Sequence, residues 1–172
     1  MLNISNNMSE RWISLYVENR VGVLAKIAGL FSGKSYNLDS LTVGTTEDPT
    51  MSRMTISVIS DDATFEQIKK QLNRAVEVIK VIDLTQTSSY KKELLFVKVF
   101  HCTKLDKSEL FQIANVFNAQ VADYGKDSIM IECVQTKRKN DDFISLLKES
   151  YSNIEVVRGG SVAIESISKT EQ

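Results

Sequence analysis

A change of hydrophobic period at Gly22 is the feature that most constrains the fold of this 172-residue chain. From Arg11 to Val17, apolar and polar residues alternate, as they do in a half-buried strand. From Val23 the period changes, and the apolar residues Leu24, Ile27, Ala28 and Phe31 recur at helical spacing. Because glycine adopts backbone conformations that other residues avoid, this position predicts a sharp bend from a strand into an amphipathic helix.

The elements predicted after this bend come in the order of a ferredoxin-like fold. Two alternating stretches, 38–44 and 54–59, predict a hairpin around the turn that contains Pro49, the only proline. The acidic pair Asp61-Asp62 indicates the start of a second helix, and the apolar stretch 76–84 predicts a fourth strand. The order is therefore β-α-β-β-α-β, in which two helices cover one face of an antiparallel sheet.

The same order of elements recurs after the polar stretch from Thr85 to Lys92, which we interpret as a linker. The predicted elements are a strand at 94–100, a helix opened by Asp106, strands at 120–124 and 128–134, a helix opened by Asp141-Asp142, and a last strand broken at Gly159-Gly160. We predict an α+β protein of two tandem ferredoxin-like units. The expected limits are a tail at 1–10, a first unit at 11–85, a linker at 86–93 and a second unit at 94–172.

Composition argues against partners that are recognised mainly through their negative charge. The net charge is -1 and the pI is about 5.9, which gives no electrostatic basis for binding nucleic acid or an anionic membrane. No apolar run approaches the roughly 20 residues that span a bilayer. The first ten residues lack the basic start and apolar core of a signal peptide. We therefore expect a cytoplasmic protein.

The titratable residues do not form the pattern of an active site. Cys102 and Cys133 lie far apart within apolar stretches, which favours two buried thiols over a metal site or a redox pair. His101 has no serine, cysteine or aspartate motif that would support a catalytic triad. Glycine motifs that bind phosphate are absent, and the basic run at 137–139 is expected to be a solvated loop. The sequence therefore predicts neither a catalytic centre nor a metal site.

The bend from Asn19 to Leu24 is the candidate functional site. A strand that turns into a helix exposes unpaired N–H groups at the positive end of the helix dipole, where a small carboxylate or phosphate can bind. The pattern by itself fits a simple turn equally well. Asn37, which follows the helix, is either a turn residue or a side chain that presents its amide to a ligand.

Three runs of the sequence carry a family resemblance: V-E-N-R-V-G-V-L-A-K-I-A-G-L-F-S, Y-N-L-D-S-L-T-V and E-D-P-T-M-S-R-M-T-I. They resemble the regulatory (small) subunit of acetolactate synthase, and the later run K-Q-L-N-R-A-V-E-V-I-K-V fits the same family. The resemblance is specific from about Arg11 to Leu84. This part is also similar to an ACT domain, a ferredoxin-like unit that senses amino acids.

The resemblance implies a regulator rather than an enzyme. An N-terminal ACT domain would precede a C-terminal α/β sandwich, and two ACT domains would pair side by side as a homodimer. Valine or another branched-chain amino acid would bind at their interface. The positions that match the family's site are Asn19, Gly22, Val23 and Leu24 from one protomer and Asn37 and Leu38 from the other.

The partner implied by the resemblance is the catalytic large subunit of acetolactate synthase. That subunit would hold thiamine diphosphate, magnesium and FAD, and the present chain would hold no cofactor. Its expected role is to activate the catalytic subunit and to confer feedback inhibition by valine in branched-chain amino acid biosynthesis. The alternative is a stand-alone ACT sensor that binds an amino acid and acts on another partner.

Overall fold

The computed structural model describes residues 8–33, 36 and 38–167. Within these residues the chain forms two consecutive sets of four strands and two helices. The first set is β1 (Ser9–Glu18), α1 (Val23–Ser32), β2 (Leu38–Thr45), β3 (Met51–Ser60), α2 (Asp62–Leu72) and β4 (Val78–Asp83). The second set is β5 (Ser89–Phe100), α3 (Lys104–Val116), β6 (Gln120–Tyr124), β7 (Ser128–Gln135), α4 (Lys137–Ser150) and β8 (Ile154–Glu165).

The first sheet has the strand order β2-β3-β1-β4, with antiparallel neighbours. Alternation in β1 and β3 places Ile13 opposite Ile56 and Leu15 opposite Met54, and all four side chains are buried. A register shift of one residue would turn them to the other face, so burial fixes the pairing. The helices close this core with Val23, Ile27, Phe31, Phe65, Ile68 and Leu72.

The second sheet repeats this topology with the order β6-β7-β5-β8. Its core joins alternate residues of β5 and β7 to apolar residues of α3 and α4. The main contributors are Leu95, Val97, Val99, Ile129, Ile131, Leu110, Phe143 and Leu147. The predicted α+β fold of two tandem ferredoxin-like units is therefore confirmed.

Cys102 and Cys133 are buried free thiols, as the sequence predicts. Both belong to the core of the second sheet. Burial raises the pKa of each thiol, because an apolar environment disfavours the thiolate.

The chain packs as two compact units whose limits differ from the sequence-based limits. The first unit extends to Tyr90 and includes the chain again from Ala163, and the second runs from Lys91 to Val162. β5 begins at Ser89, inside the stretch interpreted as a linker. Its first residues are polar and only half-buried or exposed, so hydrophobicity does not reveal them as a strand. The domain limits 11–85, 86–93 and 94–172 remain predictions.

The end of β8 packs on the face of the first sheet that carries polar side chains. The Arg53 guanidinium donates through Nε to the Ser14 hydroxyl (2.8 Å) and through Nη2 to the Glu165 carboxylate (2.8 Å). The Ala163 N–H donates to the Thr55 hydroxyl at 3.3 Å. These contacts explain why Ala163 and Glu165 group with the first unit.

The last helix begins earlier than the sequence predicts. α4 starts at Lys137 rather than at Asp141-Asp142, so the basic run 137–139 forms its first turn instead of a solvated loop. The Thr136 hydroxyl caps this helix through a long hydrogen bond of 3.4 Å from the Lys139 N–H. Cations are unfavourable at a helix N-terminus. Here the threonine cap and the burial of Asn140 in the following turn outweigh that effect.

The last strand is continuous, whereas the sequence predicts a break at Gly159-Gly160. β8 runs from Ile154 to Glu165 without interruption. Gly160 has φ +77°, a conformation that glycine adopts without strain, so the strand distorts locally and continues. Glycine thus accommodates an irregularity inside this strand rather than ending it.

Lys107 is a charged side chain that α3 buries, with 4% of its surface exposed. Its Nζ donates to the carbonyl oxygens of Gly125 and Lys126 in the β6–β7 turn, the latter at 2.7 Å. Nζ also lies 4.1 Å from the centre of the Tyr124 ring, within cation–π range. This lysine therefore holds the turn against the helix.

We expect Lys107→Met to destabilise the protein by about 2 kcal/mol. Methionine keeps much of the apolar stem but leaves both carbonyl groups without their charged donor. Urea unfolding followed by circular dichroism measures the loss. The matched control is Lys104→Met, an exposed lysine on the same helix, which should change the free energy of unfolding by less than about 0.5 kcal/mol. Equal midpoints for the two variants would contradict a structural role for Lys107.

Candidate functional site

The bend between β1 and α1 has the geometry that its sequence predicts. Gly22 is the N-cap of α1 and has φ +87° and ψ -12°, in the left-handed region. No side chain of the described residues caps this helix, and its first turn contains no acidic residue. The first-turn amides of a helix lack partners within the helix. The Val23 N–H donates to the Arg20 carbonyl at 3.3 Å. The bend therefore presents the first-turn N–H donors that follow Val23, at the positive end of the dipole, to an external acceptor.

Asn19 is held at this bend by two hydrogen bonds to the β2–β3 turn. Its backbone N–H donates to the Thr50 carbonyl at 2.8 Å, and its side-chain Nδ2 donates to the Pro49 carbonyl at 2.9 Å. A carbonyl can only accept, so the second bond fixes which end of the amide is nitrogen. The Asn19 Oδ1 is thereby left as the acceptor of this exposed side chain.

The apolar residues predicted to line the site have different environments. Leu24 is 44% exposed and is available to a ligand. Val23 is 4% exposed and packs in the core, so its side chain cannot form a wall of the site. That Val23 and Leu24 belong to the site stays a prediction, and burial excludes only the Val23 side chain as one of its walls. The helical period explains the difference, because adjacent residues point about 100° apart around a helix.

Leu38, which is expected to come from a second protomer, lies beyond the other end of α1. Leu38 begins β2 and is partly buried against the first core. Ten residues of helix, roughly 15 Å, separate the N-terminal end at Gly22 from the chain that leads into Leu38. One copy of the chain therefore does not bring these two ends together. Asn37 lies outside the described residues.

Val21 is an exposed apolar residue at the bend that sequence reasoning missed. Its relative exposure is 107%, and it immediately precedes Gly22. Val43, on the edge strand β2, is also 46% exposed. The only signal for Val21 in the sequence is an isolated apolar residue within a polar turn, which is too common a pattern to identify a site.

The cationic side chains near the bend are paired with carboxylates of the same unit. Arg20 Nη1 lies 3.3 Å from the Glu18 carboxylate, and Lys26 Nζ pairs with Glu77. The hydrogen bond from Lys26 lowers the pKa of Glu77, which keeps that carboxylate ionised. Because these charges are balanced locally, the attraction for an anion at this bend comes mainly from the helix amides.

Two further features, a metal centre and a membrane-spanning helix, are absent from the part of the chain that the structure describes. There, no group of three or more histidine, cysteine, aspartate or glutamate side chains is arranged to hold a metal ion. Over the same residues, no helix has the length and apolar character needed to cross a bilayer.

Comparison with known families matches two consecutive parts of the chain. Residues 13–80 match the family model described as an AHAS small subunit-like ACT domain. Residues 92–167 match the model described as the small subunit of acetolactate synthase. The matched segments begin and end close to the two sets of strands and helices.

Individual relatives match over nearly the full chain. The chain is 43% identical to a probable acetolactate synthase small subunit of Archaeoglobus fulgidus, covering 88% of this chain and 94% of the relative. It is 38% identical to the acetolactate synthase small subunit of Haemophilus influenzae, in an alignment that covers 90% of this chain and 94% of that relative. The crystal structure of the acetolactate synthase small subunit from Thermotoga maritima superposes with a TM-score of 0.83 at 34% identity. The superposition covers 94% of this chain and 99% of that chain. The chain belongs to the acetolactate synthase small-subunit family.

Proposed function

We propose that this chain is the regulatory, non-catalytic subunit of an acetolactate synthase. It activates a catalytic large subunit and makes that subunit sensitive to feedback inhibition by valine, in branched-chain amino acid biosynthesis in the cytoplasm. The observation that carries the proposal is the uncapped, glycine-initiated start of α1 within an ACT unit of this family. Thiamine diphosphate, magnesium and FAD belong to the catalytic subunit in this proposal, and this chain holds none of them.

The proposed effector site is shared by two copies of the chain, paired through their ACT units. One copy contributes the Asn19 side chain, the amides that follow Gly22, and the exposed Leu24. The other contributes Asn37 and Leu38. The separation of the two ends of α1 within one chain supports the need for a second copy.

Each part of a free amino acid has a chemical counterpart in this site. The α-carboxylate accepts from the first-turn amides that follow Val23, whose own N–H donates to the Arg20 carbonyl at 3.3 Å. The α-ammonium donates to an amide oxygen such as Asn19 Oδ1. The isopropyl group of valine contacts Leu24, whose exposed surface offers an apolar wall.

The regulation consists of coupling between this site and a separate subunit. Valine inhibits only if it binds the non-activating arrangement better than the activating one. Coupling free energies of this kind are typically about 1–3 kcal/mol. One charged contact and one apolar contact together can supply that amount.

Reconstitution with a catalytic large subunit of acetolactate synthase tests the proposal. We expect addition of the chain to raise acetolactate formation, and added valine to reverse most of that increase. Leucine and isoleucine, titrated in the same way, establish which side chain the site prefers. The chain alone should form no acetolactate under the same conditions.

Two outcomes of the reconstitution contradict the proposal. Binding of valine without any effect on the large subunit would favour the alternative, a stand-alone ACT sensor that acts on another partner. No binding of valine, leucine or isoleucine would reject this bend as an effector site.

A further inference from the structure

We infer that the β2–β3 turn, residues 46–50, is a positioning element for the effector site, and that Asp48 is the residue that sets it. The inference rests on the proposed function, because it concerns how Asn19 is oriented toward an amino-acid ligand. Asp48 itself does not contact the ligand in this proposal. It acts through Pro49 and Thr50, whose carbonyl groups hold Asn19.

The turn is ordered by its own side chains. One carboxylate oxygen of Asp48 accepts from the Thr50 N–H at 2.8 Å and from the Thr50 hydroxyl at 2.6 Å. The Thr46 hydroxyl accepts from the Asp48 N–H at 3.1 Å and donates to the Asp48 carbonyl at 3.0 Å. The Met51 N–H closes the turn by donating to the Asp48 carbonyl at 3.0 Å. Asp48 therefore takes part in each of these bonds, through its side chain or its backbone.

This turn presents two consecutive carbonyl groups to one residue of the effector site. The Pro49 carbonyl accepts from the side chain of Asn19 at 2.9 Å, and the Thr50 carbonyl accepts from its backbone at 2.8 Å. Proline fixes φ near -65°, so the direction of the Pro49 carbonyl depends on the rest of the turn. Asp48 orders the rest of the turn through the two hydrogen bonds that its carboxylate accepts from Thr50. The orientation of the Asn19 amide thus depends on a carboxylate that lies outside the site.

The consequence for binding is preorganisation. Asn19 is exposed, and a free exposed amide would sample several rotamers and would lose that freedom on binding. Ordering one such side chain in advance corresponds to roughly a three- to tenfold lower Kd. The turn therefore tunes affinity for the effector without contributing an atom to the site.

Calorimetric titration of the full-length chain with valine tests this inference. We expect Asp48→Ala to raise the Kd roughly three- to tenfold and to leave activation of the large subunit without valine unchanged. Asp48→Asn retains an oxygen that can accept from Thr50 and should restore most of the affinity. Asp61→Ala is the control for a general loss of stability, because Asp61 also accepts from a backbone N–H, that of Thr64 at 2.7 Å, but caps α2. The Kd of the Asp61→Ala variant for valine should equal that of the unsubstituted chain.

A double-mutant cycle with Asn19→Ala separates positioning from a general structural effect. If Asp48 acts through Asn19, then Asp48→Ala should change the Kd little once the Asn19 amide is absent. An equal rise in Kd in both backgrounds would overturn the inference, as would unchanged affinity of the single Asp48→Ala variant. Failure of the unsubstituted chain to bind any branched-chain amino acid is a different result. It would reject the proposed effector site itself.

Discussion

Gly22→Asp is expected to abolish inhibition by valine while the chain still folds and still activates the large subunit. Gly22 initiates α1, where the proposed ligand carboxylate meets the helix amides. A carboxylate on residue 22 would accept from those amides itself and would repel the carboxylate of the ligand. Two such charges about 5 Å apart at a protein surface repel by roughly 3 kcal/mol, which corresponds to roughly a hundredfold rise in Kd.

The fold should survive this change because the site has room for a side chain. A Cβ on Gly22 would meet no heavy atom within 4 Å. The remaining cost is the left-handed conformation, about 1 kcal/mol for an aspartate. Gly22→Asn is the matched control, since asparagine has a similar volume and tolerates the same backbone conformation without a charge. Valine titrations in which the aspartate and asparagine variants have the same Kd would mean that no ligand carboxylate binds near residue 22.

Arg158→Met is expected to destabilise the second unit by about 3 kcal/mol. Glu93 is 5% exposed, and Arg158 donates to its carboxylate twice, through Nε at 3.0 Å and through Nη2 at 2.7 Å. Removing the guanidinium leaves a buried charge without its cation, which typically costs about 3–5 kcal/mol. We expect the lower end of this energy range because the Arg158 side chain is 31% exposed. Hydrogen exchange of amides in β5 and β7 measures the loss.

The double variant Glu93→Gln with Arg158→Met should recover most of this stability. Glutamine removes the buried charge and still accepts from the Asn140 side chain, which donates to Glu93 Oε2 at 2.9 Å. Its amide can also donate to Asn140 Oδ1, a buried atom that has no hydrogen-bond partner among the described residues. A double variant as unstable as Arg158→Met alone would assign the loss to packing of the arginine stem rather than to charge.

The fold is predictable where the hydrophobic period of the sequence matches the face of the element that the structure buries. Alternation in β1 identifies a buried face correctly, and Asp61 caps α2 as expected. Helical spacing in α1 is correct for Ile27 and Phe31 but wrong for Leu24, which is 44% exposed. The predictions that proved wrong treat a polar or glycine residue as the start or the end of an element. The acidic pair 141–142 does not start α4, and Gly159-Gly160 does not end the last strand. α4 starts earlier because Thr136 caps it and because Asn140 in its first turns donates to the distant Glu93. The last strand continues because glycine adopts a φ of +77° at Gly160 without strain.

The candidate site also has a part that the sequence predicts and a part that it does not. Its bend follows from the sequence, because a glycine between a strand and a helix leaves few alternatives to an uncapped N-terminus. The hydrogen bonds that hold Asn19 do not follow, because their acceptors at Pro49 and Thr50 lie about thirty residues away along the chain. The inward position of Val23 could have been deduced from the stripe it shares with Ile27, but the resemblance to the family placed it in the site.

The sequence by itself determined the two ferredoxin-like units, the family and the location of the bend, since all three depend on short-range patterns of residue type. The tertiary structure decided which side chains at that bend are free to meet a ligand, and which turn holds Asn19 in place. It also decided that Ala163 and Glu165 contact the first unit. These features depend on contacts between residues far apart along the chain, which only the folded backbone brings within hydrogen-bonding distance.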